Sequence, residues 1–203
     1  MQPFLIPADI MTVSEEIKKS RFITYLAPTS GIEAAKSYIQ QIRTEHPDAR
    51  HHCWAFVAGA PSDSQQLGFS DDGEPSGTAG KPILAQLMGS HIGELTAVVV
   101  RYYGGIKLGT GGLVKAYGNG VQQALKLLPT TMKVPLTEYQ LQCDYSQLAT
   151  IETLVSQMGG HILQTQYGVG IDLHLAVPIM GAEELTVRLT NISRGALRLQ
   201  PLS

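Results

Sequence analysis

The run Arg101-Tyr102-Tyr103-Gly104-Gly105-Ile106-Lys107-Leu108-Gly109-Thr110-Gly111-Gly112-Leu113-Val114-Lys115 combines cations and glycines in an order suited to holding a phosphate. It leaves an apolar stretch, passes through glycines and enters an amphipathic segment. Helix starts carry unpaired N–H groups and partial positive charge, so they attract anions. Glycine lets a backbone approach a ligand closely. Lys115 falls near the first turn of the expected helix, where the dipole disfavours a cation and a bound anion would offset that cost. Between Lys81 and Lys126 the bases Lys81, Arg101, Lys107, Lys115 and Lys126 meet one acid, Glu94. The spacing is neither a P-loop, which needs Lys where Thr110 stands, nor a dinucleotide fingerprint, which needs glycine where Val114 stands. On the binding reading, anion or RNA contacts come from Arg101, Tyr102, Tyr103, Gly104, Gly105, Lys107, Gly109, Thr110, Gly111, Gly112 and Lys115, joined by Lys81 and by the basic segment of Lys18, Lys19 and Arg21. The competing reading is a tight turn whose glycines serve packing, with a solvated charge cluster at Lys18, Lys19 and Arg21.

A second group is Ser70-Asp71-Asp72-Gly73-Glu74-Pro75-Ser76-Gly77-Thr78-Ala79-Gly80-Lys81-Pro82. Its three carboxylates have the chemistry to bind a hard cation, but the ligand spacing of an EF-hand is missing. Capping the helix that opens near Pro82 and pairing with nearby bases is the preferred role for Asp71, Asp72 and Glu74. His51 and His52 are adjacent on a strand, so they face opposite ways and at most one joins a given site. As catalytic groups these five residues are weak candidates. No Gly-x-Ser-x-Gly, His-Glu-x-x-His or Cys-x-x-Cys occurs. No metal site and no cofactor is expected.

The elements that must position these residues follow from hydrophobic period. Residues 21–27 read as a strand, 31–45 as a helix with Ile32, Ala35, Ile39 and Ile42 on one face, and 52–60 as a strand. Residues 61–80 form a long loop with a short strand at 66–69, and long loops in compact domains are more often functional than idle. A short helix starts at Pro82, and 95–103 is a strand buried on both faces. Residues 104–112 form a glycine-rich turn, and 113–128 the strongest helix, with Leu113, Tyr117, Val121, Ala124, Leu125 and Leu128 inward. A break framed by Pro129 and Pro135 separates a domain of residues 1–132 from one of 133–203. The second reads strand 136–143, a helix opened by an Asp144/Gln147 capping box, a hairpin of 161–167 and 170–177, a helix near 181–192 carrying Leu185, Leu189 and Ile192, and a strand 196–202. That βαββαβ order is ferredoxin-like, so the fold class is α+β.

Composition closes several routes. Hydrophobic residues at 43% supply ordinary cores, and the longest aliphatic run, Ala97 to Val100, is far too short to span a membrane. A net charge of −2 gives no global pull toward nucleic acid or anionic lipid, so any such contact must be local. The N-terminus, interrupted by Pro3 and Pro7, is not a signal peptide, and a cytoplasmic location is expected. Cys53 and Cys143 read as buried thiols. The second domain has the bases Lys133, Arg188, Arg194 and Arg198 against more numerous acids. Its open sheet face, with Glu138, Gln140, Gln142, Asp172 and His174, lacks the aromatic pairs that stack on bases. It reads as a docking or regulatory module for a protein partner.

The segments Lys18–Ile23, His51–Cys53, Ser70–Pro82 and Val98–Leu113 together resemble the IMPACT family, and both domains in their order are similar to its bacterial members. The resemblance implies an N-terminal domain like the second domain of ribosomal protein S-five and a C-terminal domain like the last domain of elongation factor G. It implies a link to translation, since eukaryotic relatives regulate it by competing for the activator of an amino-acid-starvation kinase. They do so with a further N-terminal domain that has no counterpart in this sequence, so that mechanism does not carry over. Some relatives have been labelled proline dipeptidases, but no peptidase metal set is present here. The expectation is a non-enzymatic translation-associated factor whose partner is RNA, a ribosome-associated component or another polyanion, without DNA specificity. The alternative is a hydrolase acting on a small phosphorylated or peptide substrate through Asp71, Asp72 and Glu74.

Overall fold

A computed structural model describes residues 2–202, which divide into two compact units, Phe4–Lys133 and a second from Val134 onward. The N-terminal unit holds β1 (Phe4–Pro7), β2 (Met11–Ile17), β3 (Ser20–Pro28), α1 (Ile32–Glu45), β4 (His51–Val57), β5 (Leu67–Ser70), α2 (Gly80–Ser90), β6 (Leu95–Tyr102), α3 (Gly109–Leu127) and β7 (Thr130–Lys133). Its main sheet is antiparallel in the order β2-β3-β6-β4-β5. β6 lies at the centre because it can be buried on both sides: seven consecutive residues, Leu95 to Arg101, are buried. Val98 and Val100 pack with Ala35, Ile39 and Ile42 of α1 on one face. Leu95, Ala97 and Val99 pack with Ile83 and Leu87 of α2 and with Leu113, Tyr117 and Val121 of α3 on the other. Successive strand residues point to opposite faces, so Arg101 follows Val99 to the α2/α3 side and Tyr102 follows Val100 to the α1 side.

Several expectations change here. Residues 130–133 are a strand rather than part of a break: β7 pairs antiparallel with β1, Phe4 opposite Lys133. Neither β1 nor β2 is evident from hydrophobic period: β1 has only four residues, and β2, although it alternates half-buried and exposed positions, carries Glu15 at one of the half-buried ones. The strongest helix begins at Gly109 instead of Leu113, so Gly109 to Gly112 form its first turn and only residues 104–108 remain as loop. Gly109 has φ +76°, a left-handed conformation that glycine adopts without strain as the chain turns into α3.

The C-terminal unit holds β8 (Thr137–Cys143), α4 (Leu148–Gln157), β9 (His161–Tyr167), β10 (Ile171–Val177), α5 (Ile179–Ser193) and β11 (Gln200–Pro201). The sheet order β11-β8-β10-β9, all antiparallel, puts the last strand beside the first, the ferredoxin-like arrangement. The Asp144/Gln147 capping box is present ahead of α4. Leu141, Leu173 and Leu175 pack against Ile151, Val155, Leu185 and Leu189. Ile192, expected on the inward face of α5, is 53% exposed, and the expected strand 196–202 shortens to the two residues of β11. Among the described residues no helix is long and apolar enough to cross a membrane.

Candidate functional site

A cleft of about 480 Å³ opens in the N-terminal unit where β6 ends and α3 begins. It is lined by Arg50, His51, Gly73, Glu74, Pro75, Arg101, Tyr103, Lys107, Leu108, Gly109, Thr110 and Leu113. Four local features place these groups. His51 and Arg101 are register partners across β4 and β6. The loop after β5 brings in Glu74. Gly104 allows the chain to leave β6 against the β2–β3 turn, where a Cβ would lie 2.0 Å from the Lys19 carbonyl oxygen. The 104–108 loop then delivers Lys107 and the start of α3.

Arg101 is no surface cation. It is 5% exposed, and its Nη1 donates to Glu74 Oε1 at 2.7 Å while its Nη2 reaches Ser20 Oγ at 3.3 Å. Its Nε is buried and has no partner among the described residues. Glu74 Oε1 also accepts from the Tyr117 hydroxyl at 2.6 Å and lies 3.7 Å from His51 Nε2. Burial first, then neighbouring Cys53 and Glu74, pushes the Tyr117 phenol far above its ordinary range, so it stays a neutral donor to that carboxylate. His51 Nδ1 lies 2.8 Å from the Asp72 carbonyl oxygen; a backbone acceptor there fixes the proton of the neutral ring on Nδ1. Arg50 and Arg101 each place a guanidinium over the Tyr103 ring, at 5.3 and 5.4 Å from its centroid.

The first turn of α3 has no capping side chain and no acidic residue. The start of α2 is the opposite case. Asp71 accepts from the Gly77, Ala79 and Gly80 amides at 2.9, 3.1 and 2.8 Å. Burial alone would raise the Asp71 carboxyl, but these amides outweigh it and hold the group below its ordinary value. Asp72 turns to the other side of the sheet, accepting from Arg43 Nη2 at 2.9 Å and from the His52 amide at 2.7 Å. Burial opposes ionisation there too, and the amide and guanidinium bonds again lower the pKa. His52 accompanies it, its Nε2 2.7 Å from the His46 carbonyl oxygen, and stays away from the cleft. The three carboxylates therefore diverge into a helix cap, a bridge to α1 and a buried ion pair. Among the described residues no group of three or more His, Cys, Asp and Glu side chains comes together as a metal site.

The structure brings Arg101, Tyr103, Lys107, Gly109 and Thr110 together with His51 and Glu74. Lys18, Lys19, Arg21, Lys81, Tyr102 and Lys115 do not line the cleft, nor do Gly104, Gly105, Gly111, Gly112, Asp71 and Asp72. Tyr102 faces α1, its hydroxyl 2.6 Å from His46 Nδ1. Three participants escape sequence reasoning. Arg50 ends a polar turn, and only its place just before the two histidines is a signal. Tyr117 reads as one more core residue of α3. Ser20 reads as part of a basic segment, yet it is fully buried.

Residues 18–125 match the Impact N-terminal domain family, and residues 141–196 match a family described as a domain of unknown function, DUF1949. The chain is 64% identical over 199 residues to the IMPACT family member YigZ of Escherichia coli (strain K12), covering 98% of each. It is 54% identical over 202 residues to an IMPACT family member of Haemophilus influenzae, covering 100% of this chain and 98% of that one. Against the IMPACT family member YvyE of Bacillus subtilis (strain 168) identity is 34% over 179 residues, 88% of this chain and 82% of that one. A solved crystal structure of a protein described only as hypothetical has 62% identity and a TM-score of 0.79, covering 100% of this chain and 98% of the other.

Proposed function

Since the chain belongs to the IMPACT family, we propose that it is a cytoplasmic, translation-associated regulatory factor that binds RNA phosphates through the cleft at the start of α3. One observation carries the reading: Arg50, Arg101 and Lys107 share a cleft with an uncapped helix start, against a single carboxylate, Glu74. In a chain of net charge −2 this is a local concentration of positive potential. Uncapped amides add donors that suit phosphate oxygens. Arg101 acts from beneath, its charge balanced by Glu74, while the exposed Arg50 and Lys107 meet the ligand. The hydrolase alternative loses its motivation, because Asp71, Asp72 and Glu74 are each committed to separate structural partners.

Binding of this kind releases counterions and weakens with salt, with a slope of roughly −0.7 per phosphate contact for single strands. The Arg50→Ala/Lys107→Ala double variant therefore reduces the slope of log K against log salt by about 1.4. Fluorescence anisotropy with single-stranded RNA across a salt series measures it. An unchanged slope and affinity in the double variant would refute the reading.

A further inference from the structure

We propose that His51 is a pH-dependent contact of the cleft: its ring takes a second proton on Nε2, the nitrogen on the Glu74 side, and the added charge strengthens anion binding as pH falls. This rests on the reading of the cleft as a phosphate site and adds the regulation of that site.

The place of the second proton follows from what each ring nitrogen meets. Nδ1 lies 2.8 Å from the Asp72 carbonyl oxygen. A carbonyl only accepts, so Nδ1 carries a proton in both charge states of the ring. The loop closes tightly on that edge: Gly73 has φ +85°, and a Cβ there would stand 3.4 Å from Nδ1. Nε2 is the nitrogen left to titrate. It lies 3.7 Å from Glu74 Oε1, on a side chain that is 13% exposed and lines the cleft. In the neutral ring Nε2 turns a lone pair toward a carboxylate, acceptor against acceptor. A proton on Nε2 makes the same contact an ion pair.

The groups around the ring leave His51 as the one that changes charge near neutrality. From β6 come Arg101, its register partner and already paired with Glu74, and Tyr103 just beyond the strand. Arg50 precedes it, and the 104–108 loop brings Lys107. The Asp72 carboxylate is turned away to Arg43 and the His52 amide. On the interior side, burial holds Tyr117 of α3 and Cys53 of β4 neutral. Arginine and lysine keep their charge through neutral pH, whereas histidine ordinarily titrates between about pH 5 and 8. His46, His52, His91, His161 and His174 all lie outside the cleft lining. With His51 neutral, Arg50, Arg101 and Lys107 against Glu74 leave two positive charges in the cleft; with His51 protonated they leave three.

The test measures anisotropy of a single-stranded RNA with hydroxyl ends against the full-length protein at about pH 8 and about pH 6, at constant ionic strength. The diester charges of that RNA do not change over the range, unlike a terminal phosphate. Affinity is expected to rise about fivefold at the lower pH, the Coulomb gain of one charge at contact distance in high-dielectric surroundings. The slope of log K against log salt is expected to steepen by about 0.7. His51→Asn keeps an amide N–H for the Asp72 carbonyl and has no nitrogen to protonate, so it is expected to lose both changes. Independently of any variant, long-range 15N–1H spectra of the parent protein are expected to show His51 Nδ1 protonated at both pH values and Nε2 gaining the proton. RNA binding that does not vary with pH, a pH response that persists in His51→Asn, or titration at Nδ1 overturns the inference and leaves the RNA reading standing. No RNA binding at either pH overturns both.

Discussion

Replacing Glu74 with Gln tests whether the base of the cleft is an ion pair that the fold depends on. The Arg101 and Glu74 side chains are 6% and 3% exposed, with Nη1 and Oε1 2.7 Å apart. Removing one charge of a buried pair strands the other in a low-dielectric interior, and such losses run to about 3–5 kcal/mol. The lower end applies here. Gln still accepts from Tyr117, and Ser20 Oγ still reaches the guanidinium. The expected loss for Glu74→Gln is therefore about 3 kcal/mol. Urea denaturation followed by the fluorescence of Trp54, the protein's one tryptophan, reports on this unit, because Trp54 lies on β4 stacked against Phe56. The control is Glu74→Leu/Arg101→Met, which removes both charges and replaces them with apolar volume. That variant is expected to recover most of the loss, since a buried pair is seldom better than a well-packed apolar substitute. A loss below about 1 kcal/mol for Glu74→Gln, or a double variant no more stable than the single one, would refute the account.

Two further outcomes follow from neighbouring groups. The Asp71 and Asp72 carboxyls lie below their ordinary value of 3.8 in the folded protein, so the unfolded chain binds their protons more readily. Their contribution to stability is complete above that value and fades as pH falls through it toward the lower folded values. Asp71→Ala is expected to cost about 1–2 kcal/mol near neutrality, as loss of a helix cap does, and to flatten the acid limb of the stability-versus-pH curve; an acid limb as steep as the parent's would contradict this. Cys53 is fully buried, burial raises its thiol pKa, and its Sγ–H donates to the Asp71 carbonyl at 3.0 Å. In a Cys143→Ser background it is expected to react with a disulfide reagent at mildly alkaline pH only as fast as the domain opens. Rapid native-state labelling would show that the loop over it is loose.

What was legible in the sequence was what period and residue type decide locally. The apolar run 95–100 announced a central strand, and β6 is buried on both faces. Alternation sent His51 and His52 to opposite faces. The divergence of Asp71, Asp72 and Glu74 was legible only as a preference for capping and pairing, because the partners lie far along the chain: Arg43 on α1, Arg101 on β6, Tyr117 on α3. The burial of Arg101 is illegible for the same reason. Its type and its glycine-rich neighbourhood signal a phosphate contact, while its burial depends on a carboxylate twenty-seven positions earlier, 2.7 Å away in space. The sequence points to Leu113 as the start of α3 because glycines depress helix propensity; packing from Leu113 onward holds the helix, and its mostly exposed first turn, Gly109 to Gly112, extends from that packed part. β1 and β7 escape sequence reading because strands of only four residues carry almost no periodic signal.

The acidic loop and the cleft depend on each other in a way that fixes where positive charge remains available. Three carboxylates in four residues would ordinarily neutralise the nearest cations. Here Asp71 is spent on the amides of α2, Asp72 on Arg43 and the His52 amide, and Glu74 on Arg101 and Tyr117. Among the described residues no carboxylate lies within ion-pair distance of Arg50 or Lys107, so both keep their full charge at the mouth. The one carboxylate that does enter the cleft is held on the buried guanidinium, and this lets Arg101 sit beneath the site without an unbalanced charge in the core. The same latch joins the loop to β6 and α3, which frame the cleft, so the geometry of the open helix start is tied to the stability of the N-terminal fold. Loss of Glu74 should accordingly damage stability and anion affinity together, whereas loss of Arg50 or Lys107 should lower affinity alone.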